Sequence, residues 1–217
     1  MSQGRYGPFS GGVETEKSII VFVPGEIQTM NSLDTLNNVL SVSEKNVDSQ
    51  PVIMYSAGVL VGDSIFCAPK VVSFIGVLHL LQVPWVVLPW NDDAVANWGN
   101  DGSEKYSAAV RVDNAVYFVP YSANNVGVLD VSNAQPQFAK LTLDGQLQGP
   151  QKFSDGVHVN GRIWCHFHPV TYAFWIYAAL KPSKTLHWFL KTCPCLKQNG
   201  VAVYLRTMAR FILRHIP

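Results

Sequence analysis

An all-β chain built from tandem copies of one short unit is what this sequence predicts, and three observations predict it. A five-residue opening recurs four times at nearly constant spacing. A β-branched residue and a proline follow it in step, and turn residues separate the apolar runs. The openings are Phe9-Ser10-Gly11-Gly12-Val13, Tyr55-Ser56-Ala57-Gly58-Val59, Tyr106-Ser107-Ala108-Ala109-Val110 and Phe153-Ser154-Asp155-Gly156-Val157, with serines 46, 51 and 47 residues apart. Self-similarity at such a period is the signature of repeat architecture.

Six residues after each valine stands Ile19, Ile65, Val116 or Ile163, and in the last three copies an aromatic follows directly (Phe66, Tyr117, Trp164). Pro24, Pro69 and Pro120 close this run in the first three copies. Ten residues beyond each proline lies Asp34, His79 or Asp130, preceded every time by leucine. Chance does not hold four landmarks in step across three copies. The opening reads as one strand, in which small residues let neighbouring backbones approach. Asp63-Ser64 and Asp113-Asn114 supply turn chemistry, so the two apolar runs around them form a hairpin. Proline then ends the second strand, because it cannot donate to a ladder. A third strand follows at Ile75-Gly76-Val77-Leu78 and Val126-Gly127-Val128-Leu129.

Three or four short strands in about 40 to 50 residues is the size of a propeller blade. The rival, a β-helix, has shorter coils with fewer turns. The expected fold is therefore a partial or small β-propeller of about four blade-like repeats. Repeats cover residues 1–165 and begin near 9, 55, 106 and 153; a basic tail covers 166–217. The third copy, Lys105 to Val131, resembles a repeat of β-propeller-like proteins of algae and other protists: Ser-Gly-Gly-Val, an Asn-Gly turn, Ile-Tyr, a proline and Val-Leu-Asp. Paired small residues and a hairpin aromatic give a looser, kelch-like resemblance. The resemblance implies a propeller and carries no catalytic motif. This chain departs from it after Cys165-His166, where the fourth copy loses its landmarks.

Charge divides the chain at Asp155, its last acid. Residues 1–155 hold 15 acids and 8 Lys+Arg, a balance of −7; residues 156–217 hold 8 Lys+Arg and no acid, +8. Such asymmetry points to an anionic partner. From Gly200 to Pro217 the period is helical: Val201, Tyr204, Leu205, Met208, Phe211 and Ile212 share one face, and Arg206, Arg210 and Arg214 the opposite one. A basic amphipathic helix near 201–216 is thus expected. It has three readings: packing on the propeller's flank, docking to a protein, or lying on an anionic membrane. The joint loss of acids and landmarks is also what a shifted reading frame would produce.

Individual chemistry is sparse. His166 and His168 alternate and would share a strand face, yet one strand cannot supply a zinc tetrahedron, so no metal is expected and these two are weak candidates. Cys193 and Cys195, between Lys191 and Lys197, suit S-palmitoylation weakly. Cys67 and Cys165 sit in apolar runs as buried thiols. The four repeat serines are not nucleophiles: catalysis needs one serine with a positioned base, whereas recurrence suits backbone bonding. No cofactor, signal peptide, glycosylation acceptor or spanning segment is recognised. The longest apolar run, Val170 to Leu180, has 11 residues, where a spanning helix needs about 20.

With 48% hydrophobic and only 14% charged residues, against roughly 25% charged in an ordinary soluble domain, the chain has apolar surface to spare for a partner. The expected function is a non-enzymatic, intracellular, cytoplasmic scaffold for protein partners, with self-association through exposed repeat edges. Nucleic acid is not an expected partner. The alternative is a propeller-type hydrolase or lyase with a central-channel pocket. Acids or histidines converging at the channel mouth would favour the enzyme, and an apolar patch with exposed repeat edges the scaffold.

Overall fold

In a computed structural model of the chain, residues 9–25, 30–43, 55–72, 74–80, 104–143, 151–167, 174–180 and 186–192 are described. They form four antiparallel sheets, one per sequence repeat. The first holds β1 (Phe9–Glu14), β2 (Ile19–Pro24), β3 (Met30–Asp34) and β4 (Val39–Ser43). The second holds β5 (Tyr55–Val61), β6 (Ser64–Pro69) and β7 (Gly76–His79). The third holds β8 (Tyr106–Val112), β9 (Ala115–Pro120), β10 (Asn125–Asp130) and β11 (Gln137–Thr142). The fourth holds β12 (Phe153–Val159), β13 (Arg162–Phe167), β14 (Phe174–Leu180) and β15 (Leu186–Thr192). Within each sheet, strands lie side by side in chain order.

Local chemistry explains the hairpins, with two corrections. In copies two to four the first turn has two residues, Gly62-Asp63, Asp113-Asn114 and Asn160-Gly161, set by the pairs Val61↔Ser64, Val112↔Ala115 and Val159↔Arg162. Gly62, Asp113, Asn160 and Gly161 take positive φ (57°, 54°, 51° and 69°), the conformation that tight hairpins demand and Gly, Asn and Asp tolerate. The second turn is therefore Gly62-Asp63 rather than Asp63-Ser64. In the first copy the loop is one residue longer, with Ser18 at φ 57° and Thr15 N donating to Ile19 O at 2.8 Å. The equivalent of Ile65, Val116 and Ile163 is consequently Ile20, which pairs with Glu14, and not Ile19.

Every repeat serine sits at the same irregularity. The register slips between Phe9 and Gly11, Tyr55 and Ala57, Tyr106 and Ala108, and Phe153 and Asp155. Each serine is thus the extra residue of a β-bulge, which bends and twists the strand. The Oγ atoms of Ser56 and Ser107 donate to Ala68 O and Val119 O at 3.5 and 3.4 Å. Those long bonds match the backbone role expected for these residues.

The sheets stack through their first strands: β1 lies on β5, β5 on β8 and β8 on β12, while β12 and β1 are not packed in this way. Among the described residues the sheets thus form an open arc with a separate apolar core at each junction. The first joins Val13, Val21 and Val23 to Tyr55, Ile65, Cys67 and Leu78. The second joins Phe66, Ala68 and Val77 to Tyr106, Val116, Phe118 and Leu129. The third joins Ala108, Val110, Val119 and Val126 to Phe153, Ile163 and Cys165.

Buried lysines reinforce two junctions. Lys105 N donates to Lys70 O and Lys152 N to Tyr121 O, both at 2.7 Å. The Lys105 Nζ reaches Val71 O and Val72 O at 2.9 and 3.0 Å, and the Lys152 Nζ reaches Ser122 O at 3.0 Å. Each lysine thus caps carbonyls just after the proline of the preceding sheet. Burial lowers the pKa of Lys152. The sheet also outruns the sequence landmarks. Residues 166–167, 174–180 and 186–192, placed with the tail on sequence grounds, contribute the end of β13 and all of β14 and β15. The helix expected near 201–216 lies outside the described residues.

Candidate functional site

Alternation along the strands gives every sheet two faces, a front toward the preceding sheet and a back toward the following one. Front positions carry the opening aromatic, the second small residue, the β-branched residue of the second strand and the leucine of the third. Where a preceding sheet covers them they are fully buried: Tyr55, Ile65 and Cys67 are 0% exposed, and so are Tyr106, Val116, Phe118 and Leu129. The same positions of the first sheet are Phe9, Ile20, Phe22 and Leu33, and all four are only half-buried. Phe9 and Phe22 stack on each other, centroids 5.1 Å apart. Back positions behave likewise. Val13 and Val110 are buried, but Val157, at the same place on the last sheet, is 48% exposed.

A further apolar surface lies on the outermost strand of the first sheet. Leu36 in the preceding turn and Val39, Leu40 and Val42 in β4 are 75%, 52%, 58% and 56% exposed. Leu40 pairs with Leu33, so it extends the uncovered front face, whereas Val39 pairs with Asp34 on the back. Among the described residues no strand lies on the outer edge of β4.

The aspartates of the Leu-Asp landmark are turn caps. Asp34 Oδ1 accepts from the backbone N of Leu36 and Asn37 at 2.9 and 3.0 Å, and the bond from the Asn37 side chain is the main cause that lowers its pKa. Asp130 Oδ1 accepts from Ser132 N and Oγ at 2.9 and 2.6 Å. His79 holds that position in the second copy, where its Nδ1 lies 2.8 Å from Ser64 Oγ. Ser64 and His79 are directly opposed across β6 and β7, so this pair follows from strand register. The sequence signal for it was the histidine standing where its sister copies have aspartate.

Cys67 and Cys165 are buried free thiols. Burial pushes both thiols up to about 12, with Asp155 adding to the effect at Cys165. His166 lies in β13, opposite Asp155 and Trp175, at the register held by Val23, Ala68 and Val119 in the other copies. His168, Cys193, Cys195, Arg206, Arg210, Phe211 and Arg214 lie outside the described residues. Among the described residues no group of three His, Cys, Asp or Glu is placed to hold a metal ion, and no helix is long and apolar enough to cross a membrane. The residues that sequence reading missed are Lys105 and Lys152; their signal was a lysine directly before the aromatic-serine pair in two copies.

Stacked antiparallel meanders with first strands side by side define a β-propeller-type fold, and solved structures agree. The chain is similar to a streptogramin B lyase (TM-score 0.60, 14% identity, covering 87% of this chain and 57% of that one). It is similar to virginiamycin B lyase from Staphylococcus aureus (0.55, 15%, 84% and 55%) and to a structure of a nidogen/laminin complex (0.51, 10%, 82% and 62%). The chain thus spans little more than half the length of the two lyases. At such identity the likeness is one of fold alone, and the fold serves both enzymes and interaction domains. No protein-family model matches the chain, and no curated protein does.

Proposed function

We propose that this chain is a non-enzymatic scaffold for protein–protein interaction, and that β4 receives an extended segment of a partner as an added strand. The carrying observation is the run Leu36, Val39, Leu40 and Val42, all more than half exposed around an edge that no strand among the described residues occupies. Open edges of this kind recruit extended peptides: main-chain bonds supply affinity, and alternate side chains supply specificity. The apolar patch with an exposed repeat edge is the feature that favoured a scaffold over an enzyme. The kelch-like and protist-repeat resemblance belongs to this reading, as does a cytoplasmic location. Arg206, Arg210, Arg214 and Phe211 dock the tail on a partner or an anionic membrane surface, and Cys193 and Cys195 are lipidation positions beside it.

Selection of extended peptides from a displayed library against the full chain tests the strand-addition reading. Selected peptides should alternate apolar and polar residues. They should lose binding when their backbone is N-methylated at alternate positions, and also on Val39→Lys and Val42→Lys. Peptides that tolerate N-methylation, or bind both variants as well as the parent, would dispose of it.

A further inference from the structure

One pair of positions in the repeat changes its chemistry jointly in the second copy. The first residue of the second strand directly faces the landmark residue that ends the third: Ile19 faces Asp34, Ser64 faces His79 and Ala115 faces Asp130. Opposite an apolar partner, the two aspartates turn to donors of the next turn, Leu36 N and Asn37 N for Asp34 and Ser132 N for Asp130. In the second copy both positions carry groups that can exchange a proton, and they turn to each other, with Ser64 Oγ 2.8 Å from His79 Nδ1. The backbone does not require this change. Leu80 N donates to Asp63 O at 2.8 Å, just as Val131 N donates to Asn114 O at 2.8 Å in the third copy.

We propose that Ser64 is a nucleophilic serine activated by His79, and that it accepts an acyl group from an activated ester or thioester. The recurring serines have a different setting, since the Oγ atoms of Ser56 and Ser107 donate to backbone carbonyls at 3.5 and 3.4 Å. Ser64 instead has an imidazole nitrogen within the reach of a general base, about 2.6–3.2 Å. Ser64 and His79 are half-buried at the hairpin end, beside exposed Gly62 and Asp63, so a small electrophile can approach Oγ from solvent. With the ring proton on Nε2, Nδ1 is the acceptor and takes the Ser64 proton as Oγ bonds to the carbonyl carbon. The tetrahedral adduct then expels a thiolate or phenolate, which leaves with the proton from Nδ1. Ser64 ends as an ester, His79 is neutral again, and a thiol or phenol is released. One acyl group is consumed per chain without turnover, so the scaffold reading is unaltered. The pair belongs to β6 and β7 and not to β4, so it stands or falls apart from strand addition.

Incubation of the full chain with p-nitrophenyl acetate, followed by peptide mass spectrometry, tests the assignment. An acetyl group should appear on Ser64 faster than on Ser56 or Ser107. His79→Gln should slow that acetylation about a hundredfold or more, since a positioned general base contributes roughly 10²–10⁴-fold. Ser64→Ala should remove the acetyl group from this peptide while lysines elsewhere label as before. The double variant Ser64→Ala/His79→Asp rebuilds the pair that Ala115 and Asp130 form in the third copy, so it should keep the circular dichroism spectrum of the parent. His79→Asp alone should fold equally well and acetylate as slowly as His79→Gln, and it carries the comparison if His79→Gln misfolds. Acetyl groups on lysines alone, acetylation of Ser64 no faster than of Ser56, or a folded His79 variant that reacts at the parent's rate would each overturn the proposal.

Discussion

Substitutions at Gly58 and Val23 probe the packing of the first junction most sharply. A Cβ at Gly58 would stand 2.8 Å from Val23 Cγ2, 3.1 Å from Ile65 Cγ2 and 3.2 Å from Val13 Cγ2. Gly58→Ala must therefore push the first two sheets apart, and overpacking of this kind costs roughly 1–3 kcal/mol. Set against that is the gain of about 0.4–1 kcal/mol from a stiffer unfolded chain. Val23→Ala empties the same place from the other side and should cost about 1.5–3 kcal/mol for a buried valine. The second junction shows how the pair can be reconciled, because there Ala68 and Ala109 hold the positions of Val23 and Gly58 within one cluster. The double variant Val23→Ala/Gly58→Ala should thus be more stable than the sum of its parts by at least about 1 kcal/mol. Urea unfolding of the four proteins, with midpoints compared at constant m, measures this coupling. Additivity within about 0.5 kcal/mol, or a Gly58→Ala protein more stable than the parent, would refute the reasoning.

Other outcomes follow from single residues. Tyr106 Oη donates to Asn125 Oδ1 at 2.6 Å, whereas the buried Tyr55 Oη has no partner among the described residues. Tyr106→Phe should therefore destabilise by about 1 kcal/mol and Tyr55→Phe should leave stability unchanged or raise it, as urea midpoints would show. Burial favours the protonated thiols of Cys67 and Cys165 with folded values near 12. Their contribution should be intact below the unfolded value, about 8.5, and fade as pH rises toward 12; a Cys67→Ala/Cys165→Ala protein should lose less stability over that window. If the tail lies on an anionic surface, replacing Arg206, Arg210 and Arg214 by Gln should remove about 3 kcal/mol of vesicle affinity. Co-sedimentation at several salt concentrations should then show the parent, but not the variant, weakening with salt.

The sequence revealed the repeat because buried positions are constrained on both faces. Tyr55, Ile65, Tyr106 and Val116 must fit between two sheets, so their types recur in register. Outer strands face no such demand: β4 and β11 alternate or expose their residues, and neither left a landmark. The six-residue step misplaced the first copy because a loop can gain a residue without disturbing the strands beside it. Strands β14 and β15 join the fourth sheet although Phe167 stands where three copies have proline, since pairing needs backbone and not the landmark. The candidate surfaces were less legible. Phe9 and Val157 look like their buried sisters, and only the open arc shows that nothing within the described residues covers them.

Among the described residues successive sheets touch through their first strands, and the first and last sheets do not touch in this way. Methyl–aromatic nuclear Overhauser effects in selectively labelled full chain test this directly. Contacts are expected from Val13 and Val23 methyls to the Tyr55 ring, from Ala68 to the Tyr106 ring, and from Val119 to the Phe153 ring. Contacts joining the first copy to the third, or the absence of contacts at any of these three junctions, would contradict it.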